Sequence, residues 1–435
     1  MRDVLAVVLV GGEGKRLEAL TIDRAKPAVP FGGAYRIIDF TLSNCVNSGL
    51  RQILVLTQYK AASLERHLQA GWHFLARTLD EYVDVLSPQQ RLSKEWYLGT
   101  ADAVYQNIYS IEREKPKYVL VLSGDHVYKM DYRRLIEWHQ RKGGPVTLSC
   151  VPMDLRLCRE FGVVRVDADW RIREFLEKPA ETEPLPDDPQ RFLASMGVYV
   201  FDATFLYDRL CRDAVDPDSA RDFGRNVIPA MVRDSHLQLY AYPFRDERTG
   251  AMCYWRDVGT VEALYEANMD LLAAEPPLDL YDREWPIFTY RPPLPPARIE
   301  DAVSAGSERR QGQLRDSIVC EGAVITGGCV EHSVVSANVR VRSGADVRDS
   351  VLFEGVQVGS QSRVRRAIVD RHVTVPPGTH IGWDRADDEA RGLHVTSSGI
   401  VVVPKLDFCQ YFGDFRAARS PTAGRISCPR RCGRG

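Results

Sequence analysis

The sequence lacks the features that would assign it to a membrane or nucleic-acid-binding class. No apolar run approaches the roughly 18 residues of a membrane-spanning helix. Neither charge predominates, because 57 Lys and Arg residues face 59 Asp and Glu residues and leave a formal net charge of −2. No general electrostatic field therefore draws the chain to nucleic acid or to a membrane. The N-terminus, with Arg2 and Asp3, also lacks the layout of a signal peptide. We predict a cytoplasmic protein with no nucleic-acid or membrane partner.

Clusters of cysteine are also missing. The ten cysteines are scattered, and apart from Cys428 and Cys432 none is close enough to another to suggest a zinc site. Reduced thiols are the default state of such cysteines in the cytoplasm. The pair lies in residues 413–435, a segment with six arginines and almost no large aliphatic residues. We predict that this Arg-rich tail is disordered, and two cysteines without further ligands indicate no metal or redox site.

The chain is long enough, at 435 residues, for two domains with separate cores. Apolar strand-like segments alternate with helix-like segments over about the first 260 residues, which predicts an α/β domain with a doubly wound, mostly parallel, Rossmann-like sheet. Prolines then cluster from Pro276 to Pro296. We predict a first domain at residues 1–275, a Pro-rich linker at 276–297 and a second domain at 298–412.

The second domain contains a repeat of 17 residues. Its aliphatic residues fall into three columns that keep this spacing, namely Val324, Val341, Val358 and Val375; Val330, Val347, Val364 and Ile381; and Val335, Leu352 and Val369. Such columns describe a coil with three sides and one inward side chain on each side. Separate hairpins are the alternative, but hairpins have no reason to hold three registers through several coils. We predict a parallel β-helix of the hexapeptide type.

The first strand of the first domain ends in a glycine-rich loop. Val4–Val10 is an unbroken aliphatic run, as expected of a strand buried on both faces. Gly11, Gly12 and Gly14 follow it and let backbone N–H groups turn toward an anion. Lys15, Arg16 and, after a short interval, Lys26 add three cations. The loop alone is a weak signal, since plain structural turns have similar glycines, but its cations favour a polyphosphate ligand.

Carboxylates and a further lysine follow other predicted strands. Asp125 comes directly after an apolar strand and Asp257 lies in a Trp-Arg-Asp-Val-Gly-Thr segment. Mg²⁺ prefers one or two carboxylates together with substrate phosphate oxygens, so this pair is a candidate magnesium site. Lys178 ends another strand and is placed to bind a monophosphate as a point charge. The alternatives are helix caps for the two aspartates and a surface salt bridge for the lysine.

Several motifs together resemble one known family. They are Gly11-Gly12-x-Gly14-x-Arg16-Leu17, Ala25-Lys26-Pro27, Ser43-Asn44-Cys45, Trp96-Tyr97-x-Gly99-Thr100, Gly124-Asp125-His126, Glu177-Lys178-Pro179, Ala194-Ser195-Met196-Gly197 and Trp255-Arg256-Asp257. The chain resembles the bacterial glucose-1-phosphate adenylyltransferases, a branch of the sugar nucleotidyltransferase family, over about residues 3 to 405. The resemblance implies that the β-helix is left-handed and that the enzyme is an allosterically regulated homotetramer.

The resemblance also implies a reaction and a set of site residues. ATP and α-D-glucose 1-phosphate would give ADP-glucose and pyrophosphate for glycogen synthesis. The implied catalytic residues are Arg16, Lys26 and Asp125, and the implied Mg²⁺ ligands are Asp125 and Asp257. ATP would contact Gly11, Gly12, Gly14, Arg16, Gln58, Gly99 and Thr100. Glucose 1-phosphate would contact Tyr97, Gly162, Glu177, Lys178 and Ser195. Gln90 and Trp96 match a mobile loop that links ATP binding to activation in the family.

The region of the implied allosteric site departs from the family pattern. Members activated by fructose 1,6-bisphosphate have a lysine where this chain has Asp23, and a histidine where it has Pro30. A carboxylate next to a bisphosphate is repulsive. We therefore predict a weak response to fructose 1,6-bisphosphate and a preference for a smaller activator, such as fructose 6-phosphate or pyruvate. The predicted anion site comprises Arg24 and Arg36 with Arg365 or Arg366.

Two other functions stay open from the sequence. One is a nucleotidyltransferase that uses another base or another sugar. The other is a regulatory subunit without catalytic activity, since the family includes paralogues that bind effectors and turn over poorly. Such paralogues lose charged residues of the active site, whereas this chain keeps all of them, including Arg16, Lys26 and Asp125. The charged residues favour a working enzyme.

Overall fold

A computed structural model describes residues 1–11, 14–58, 60–88, 96–246, 249–302 and 309–405. Gly12, Gln90 and the predicted tail lie outside these ranges, so the predictions made for them are not addressed by the structure. The described chain forms two bodies, an α/β domain and a β-helix, that pack against each other. The exact boundaries at residues 275 and 297 stay predictions.

The first domain is built on a mixed nine-stranded sheet with two small additional sheets. Its strands are β1 (Val4–Val10), β2 (Pro30–Phe31), β3 (Tyr35–Arg36), β4 (Gln52–Thr57), β5 (Tyr82–Leu86), β6 (Tyr118–Ser123), β7 (His126–Tyr128), β8 (Val146–Asp154), β9 (Gly162–Val166), β10 (Ile172–Glu177), β11 (Arg191–Asp202), β12 (Leu239–Pro243) and β13 (Trp255–Asp257). The main order is β10-β9-β11-β6-β1-β4-β5, with β8 between β11 and β12.

The predicted α/β class with a mostly parallel sheet is confirmed. Strands β6, β1, β4 and β5 run parallel, so their carboxyl ends share one edge. Strand β11 then returns antiparallel next to β6 and pairs antiparallel with β8 and β9 as well. The prediction of a mostly parallel sheet therefore holds, since β8, β9 and β12 run in the same direction as β1 and only β10 and the 12-residue strand β11 are reversed.

Helices cover both faces of this sheet. They are α1 (Ile37–Asn47), α2 (Ala62–Gly71), α3 (Thr100–Gln106), α4 (Ile108–Arg113), α5 (Tyr132–Lys142), α6 (Ala203–Ala214), α7 (Ile228–Arg233) and α8 (Val261–Asp270). Alternate residues of β1 belong to two different cores, Ala6, Val8 and Val10 to one and Leu5 and Val7 to the other. This division is the doubly wound arrangement that the aliphatic run predicts.

The second domain is a left-handed parallel β-helix of the hexapeptide type. Its strands are β14 (Arg298–Glu300), β15 (Gln313–Arg315), β16 (Ile318–Val319), β17 (Val324–Thr326), β18 (Cys329–Glu331), β19 (Val334–Val335), β20 (Arg340–Val341), β21 (Asp346–Arg348), β22 (Val351–Leu352), β23 (Gln357–Val358), β24 (Arg363–Arg365), β25 (Ala367–Val369), β26 (Thr374–Val375), β27 (His380–Ile381), β28 (His394–Val395) and β29 (Val401–Val403). A short helix, α9 (Arg385–Ala390), interrupts the last coil.

The three aliphatic columns exist, with one error at their start. The Val330 and Val335 columns pair in the predicted registers. In the remaining column, however, Val341 pairs with Ile325 and not with Val324. Ile325 is buried and Val324 is only half-buried, because this first coil has 16 residues instead of 17. The alternative of separate hairpins is wrong, since these strands pair in parallel.

The two domains share a core and a buried ion pair. Phe31, Phe40 and Leu264 of the first domain pack in one cluster with Phe353 and Ile368 of the β-helix. The predicted linker also lies against α1. Thr289 donates a hydrogen bond to Asp39 over 2.7 Å, and the Phe288 amide donates to Ser43 over 2.8 Å. Within the junction, Arg24 binds Asp370 at 2.8 Å, with both side chains almost fully buried.

Candidate active site

A cleft of about 760 Å³ opens at the carboxyl ends of β1 and β6. Because the two strands are parallel, the residues that follow them lie on the same edge of the sheet. The structure brings most of the predicted site residues to this cleft, namely Gly11, Gly14, Arg16, Lys26, Thr100, Asp125, Gly162, Glu177, Lys178, Ser195 and Asp257. The site is therefore assembled from segments that lie far apart in the sequence.

Lys26 lies between the two predicted metal ligands. Its Nζ is 2.9 Å from Asp125 Oδ2 and 2.6 Å from Asp257 Oδ1. The lysine is buried and is the first residue of a single helical turn, Lys26–Ala28, whose second residue is Pro27. Burial alone would lower the pKa of Lys26, but the charges of Asp125 and then Asp257 outweigh it and raise that pKa. The ammonium group is therefore held charged between two carboxylates.

Asp125 is held ionised by its surroundings. Burial opposes ionisation, but the charges of Lys26 and His126 and a hydrogen bond from Ser123 outweigh it and bring the pKa of Asp125 well below its ordinary value. His126 Nε2 lies 3.4 Å from the Asp125 carboxylate, and its ring packs edge-on against Trp255. An ionised carboxylate at this position is available to a cation at neutral pH.

The donor set fits a hard divalent cation. Asp125, His126 and Asp257 each offer a ligand atom, and these atoms lie within 4.8 Å of one another. Two carboxylates from separate segments match the oxygen ligands that Mg²⁺ prefers. Among the described residues, His126 Nδ1 is buried without a hydrogen-bond partner, so this imidazole has capacity for a further contact.

Arg16 crosses the mouth of the cleft. Its guanidinium is 3.1 Å from Glu160 and 3.8 Å from Asp257, and the side chain is half exposed. Gly14 begins the turn that carries it with a φ of 62°, a left-handed conformation that favours glycine. Arg16 and Lys26 thus place two cations at the end of β1, as the sequence predicts for a polyphosphate site.

The opposite wall of the cleft carries the residues predicted to bind glucose 1-phosphate. Glu177 and Lys178 end β10, and Lys178 is half exposed, 3.7 Å from the Glu177 carboxylate. A Cβ atom at Gly224 would lie only 2.6 Å from Glu177 Oε2, so any other residue there would displace the end of the Glu177 side chain. Burial and the Asp222 charge raise the pKa of Glu177, while the Lys178 charge opposes this.

Asp222 and Tyr199 also line the cleft but stand in none of the sequence motifs, and Trp255, which stands in one, has no predicted role. Asp222 accepts hydrogen bonds from Thr100 and from the Gly224 and Arg225 amides. Tyr199 lies 3.4 Å from Ser195 Oγ, and Trp255 packs on His126. Residues 195, 197 and 199 share one face of β11, because successive side chains of a strand point to opposite faces. This period of two could have predicted that Tyr199 lies on the same face as Ser195. Asp222 precedes a short turn and carries no such signal.

Three predicted residues lie outside the cleft lining. Gln58 donates a hydrogen bond to the Tyr97 carbonyl over 2.9 Å. Tyr97 is buried, and its hydroxyl accepts a hydrogen bond from Asn107 instead of facing the cleft. Gly99 is the N-cap of α3. Their roles in substrate binding stay predictions. Trp96 is exposed next to them.

A second cavity, of about 310 Å³, lies at the junction of the domains. Arg36 lines it together with Arg371, and burial followed by the Arg371 charge lowers the pKa of Arg36 to about 10. Arg24 lies close enough to add to this effect. Arg365 and Arg366 do not line this cavity, and their part in an anion site stays a prediction. Arg365 lies against Trp383, and Arg366 lies over the ring of Tyr265 in α8.

Comparison with known proteins agrees with this geometry. A family model described as nucleotidyl transferase matches residues 5–274, and one described as GlmU-like, C-terminal hexapeptide matches residues 295–403. A glucose-1-phosphate adenylyltransferase of Rhodopirellula baltica is 55% identical over 98% of this chain and 95% of its own length. One of Koribacter versatilis is 49% identical over 93% and 96%. A glucose-1-phosphate adenylyltransferase 2 of Vibrio cholerae is 45% identical over 93% and 98%.

The described helices are all too short or too polar to cross a membrane. The cleft, with its glycine turn, two cations and facing carboxylates, lies within the part of the chain that the nucleotidyl transferase model matches. The similarity to the named relatives covers 95% and 96% of their own lengths, which includes the β-helix. The chain therefore belongs to the nucleotidyl transferase family and, within it, to the glucose-1-phosphate adenylyltransferases.

Proposed function

We propose that the protein transfers the adenylyl group of ATP to α-D-glucose 1-phosphate and forms ADP-glucose and pyrophosphate for glycogen synthesis. The observation that carries this proposal is the position of Lys26. It bridges Asp125 and Asp257 in a cleft that has phosphate-binding cations on one wall and Glu177 with Lys178 on the other. Relatives over nearly the full length carry the name of this activity.

The reaction is a single displacement at the α-phosphorus. A phosphate oxygen of glucose 1-phosphate forms a bond to the α-phosphorus, the bond to the bridging oxygen of the β-phosphate breaks, and pyrophosphate leaves with that electron pair. No covalent intermediate on the protein is required. The protein therefore accelerates the reaction by aligning two anions and by neutralising the charge that repels them.

The residues divide this work between the two walls. Arg16 and Lys26 hold the triphosphate, and Lys178 holds the phosphate of the sugar as a point charge. Glu177 accepts hydrogen bonds from sugar hydroxyls, in a pocket that the neighbouring glycines keep open. Asp125 and Asp257 hold a divalent cation, for which Mg²⁺ is the proposed identity. That ion, when bound, neutralises charge on the triphosphate.

The test is a pyrophosphate-release assay with glucose 1-phosphate and ATP, UTP, GTP or dTTP. We expect ATP to be used far better than the others, and preference for another nucleotide would indicate the alternative transferase. Asp125→Asn should cost several kcal/mol of transition-state stabilisation, as the loss of a metal contact does. Asp282→Asn is the control, because Asp282 pairs with Lys129 at 3.1 Å and does not line the cleft. No release with any nucleotide would indicate a regulatory subunit.

The proposed regulation uses the 310 Å³ cavity at the junction. Arg36 and Arg371 place positive charge on its wall. Arg371 is already paired with Glu354, so a small anion there would chiefly supply a partner for Arg36. The Asp23 carboxylate lies 3.3 Å from Arg24 and 3.3 Å from Lys405. It neutralises positive charge that would otherwise attract an anionic activator. We propose a cytoplasmic homotetramer that responds weakly to fructose 1,6-bisphosphate and better to fructose 6-phosphate or pyruvate. Strong activation by micromolar fructose 1,6-bisphosphate would contradict this.

A further inference from the structure

The ammonium group of Lys26 lies where a cation held by both cleft carboxylates would have to be. Its Nζ is within 3 Å of one oxygen of Asp125 and one of Asp257. The other Asp125 oxygen accepts from Ser123, and the other Asp257 oxygen faces Arg16 at 3.8 Å. The oxygens of both carboxylates are thus already engaged by groups of this chain. Lys26 Nζ makes the short contacts to both, while His126 Nε2 lies farther away, at 3.4 Å from Asp125 and 3.9 Å from Asp257.

We propose that Lys26 is an internal substitute for the divalent cation in the free protein, and that metal and triphosphate bind cooperatively because Lys26 must move from the carboxylates to the phosphates. A dication and an ammonium cannot share a position between two carboxylates without strong repulsion. Metal binding therefore releases Lys26, and a triphosphate supplies the new partner for it. The inference rests on the metal site in the proposed function.

The coupling has a direct thermodynamic consequence. If the triphosphate favours release of Lys26, it strengthens metal binding, and the metal must strengthen triphosphate binding by the same factor. Metal alone should bind the free protein weakly, because it competes with a paired and buried ammonium group. Removing that group should tighten the binding of metal alone, even though it removes a group predicted to bind ATP. An ordinary phosphate-binding lysine would not have this effect.

The experiment measures the binding of Mn²⁺ alone, without nucleotide, by the electron paramagnetic resonance signal of the free ion. We expect Lys26→Met to bind Mn²⁺ at least tenfold more tightly than the unmodified protein. Lys129→Met is the matched control, since it removes an ammonium group paired with Asp282 outside the cleft, and it should leave the affinity unchanged. Equal affinities for Lys26→Met and the unmodified protein would overturn the inference.

A second measurement separates this inference from the proposed metal site. Mn²⁺ binding in the presence of α,β-methylene-ATP should be lost in Asp125→Asn. If it is lost while Lys26→Met gains no affinity for Mn²⁺ alone, the metal site stands and the inference fails. If Asp125→Asn binds Mn²⁺ with the analogue as well as the unmodified protein does, both fail.

The folding of Lys26→Met provides a further readout, because the substitution leaves two carboxylates without their shared counter-ion. We expect its unfolding temperature to fall without metal and to rise with Mn²⁺ by more than that of the unmodified protein. If the variant is unfolded without metal, millimolar Mn²⁺ should restore its circular dichroism spectrum. A variant that stays unfolded at that concentration would show that a metal cannot replace the ammonium, and would overturn the inference.

Discussion

The buried ion pair between Arg24 and Asp370 tests how the two domains are held together. The guanidinium and the carboxylate are 2.8 Å apart, and the side chains are 4% and 1% exposed. Among the described residues, Arg24 Nη1 has no hydrogen-bond partner, so Asp370 supplies much of its compensation. Asp370→Asn keeps the shape of the side chain and removes its charge. Because it leaves the buried guanidinium with only the half-exposed Asp23 carboxylate as counter-charge, we expect it to destabilise the protein by roughly 3 kcal/mol, the lower end of the range for a broken buried pair.

A double variant separates this penalty from the intrinsic stability of the pair. Arg24→Met with Asp370→Leu removes both charges and fills the space with apolar groups. Replacing a buried ion pair in this way is often neutral or stabilising, so the double variant should recover most of the loss. The expected coupling free energy between the two positions is therefore large.

The assay is urea unfolding followed by tryptophan fluorescence and circular dichroism, with the transitions of the two domains fitted separately because multidomain proteins depart from two-state behaviour. Lys405→Met is the control. It breaks the ion pair between Lys405 and Asp23, whose charged atoms are 3.3 Å apart and whose side chains are both half exposed. The loss of this pair should lower the free energy of unfolding by about 0–1 kcal/mol. A loss below about 1 kcal/mol in Asp370→Asn, or a double variant as unstable as the single one, would refute the reasoning.

Three further predictions concern separate parts of the molecule. Lys178→Ala should raise the KM for glucose 1-phosphate roughly 10- to 100-fold, with little change in the KM for ATP, because the lost charge faces only the sugar phosphate; equal changes in both would contradict this role. Burial lowers the pKa of His139, with Asp202 opposing, so its contribution to stability is complete above the ordinary histidine pKa and is lost as the pH falls below it. His139→Gln should therefore flatten the fall in unfolding temperature between about pH 7.5 and 5, whereas exposed His236→Gln should not. Asp23→Lys should increase activation by fructose 1,6-bisphosphate, measured as the ratio of activated to unactivated rates, and an unchanged ratio would exclude Asp23 as the cause of a weak response.

Strand β1 shows what an amino-acid pattern can predict. The run Val4–Val10 was expected to be a doubly covered strand, and the structure has those bounds. A run of seven aliphatic residues, too short for a typical buried helix and followed by glycines, is typical of a strand that lies inside a sheet between two layers of helices. The turn that follows was equally predictable, since glycine is needed at Gly14 where φ is positive.

The β-helix shows where periodicity stops being informative. Spacing predicts which residues face the interior, and it failed only where the first coil is one residue shorter and Ile325 replaces Val324. It gives no information on which outward-facing arginine meets the other domain. Arg365, Arg366 and Arg371 are all outward candidates. The docking of the coil places Arg366 over Tyr265 of the first domain and Arg371 in the wall of the cavity. The contact depends on a rigid-body arrangement that no local pattern encodes.

The charges of the cleft show a different limit. From the sequence, Lys26 was assigned to a phosphate and Asp125 to a metal, as if each waited for its own ligand. In the folded protein they satisfy each other, because charges removed from water must be paired before any ligand arrives. Sequence motifs predict which substrate or metal each residue binds during the reaction. They do not predict which groups neutralise those residues in the free protein, which must also be stable. The lysine and the carboxylates therefore need two sets of partners, and substrate binding has to exchange one set for the other.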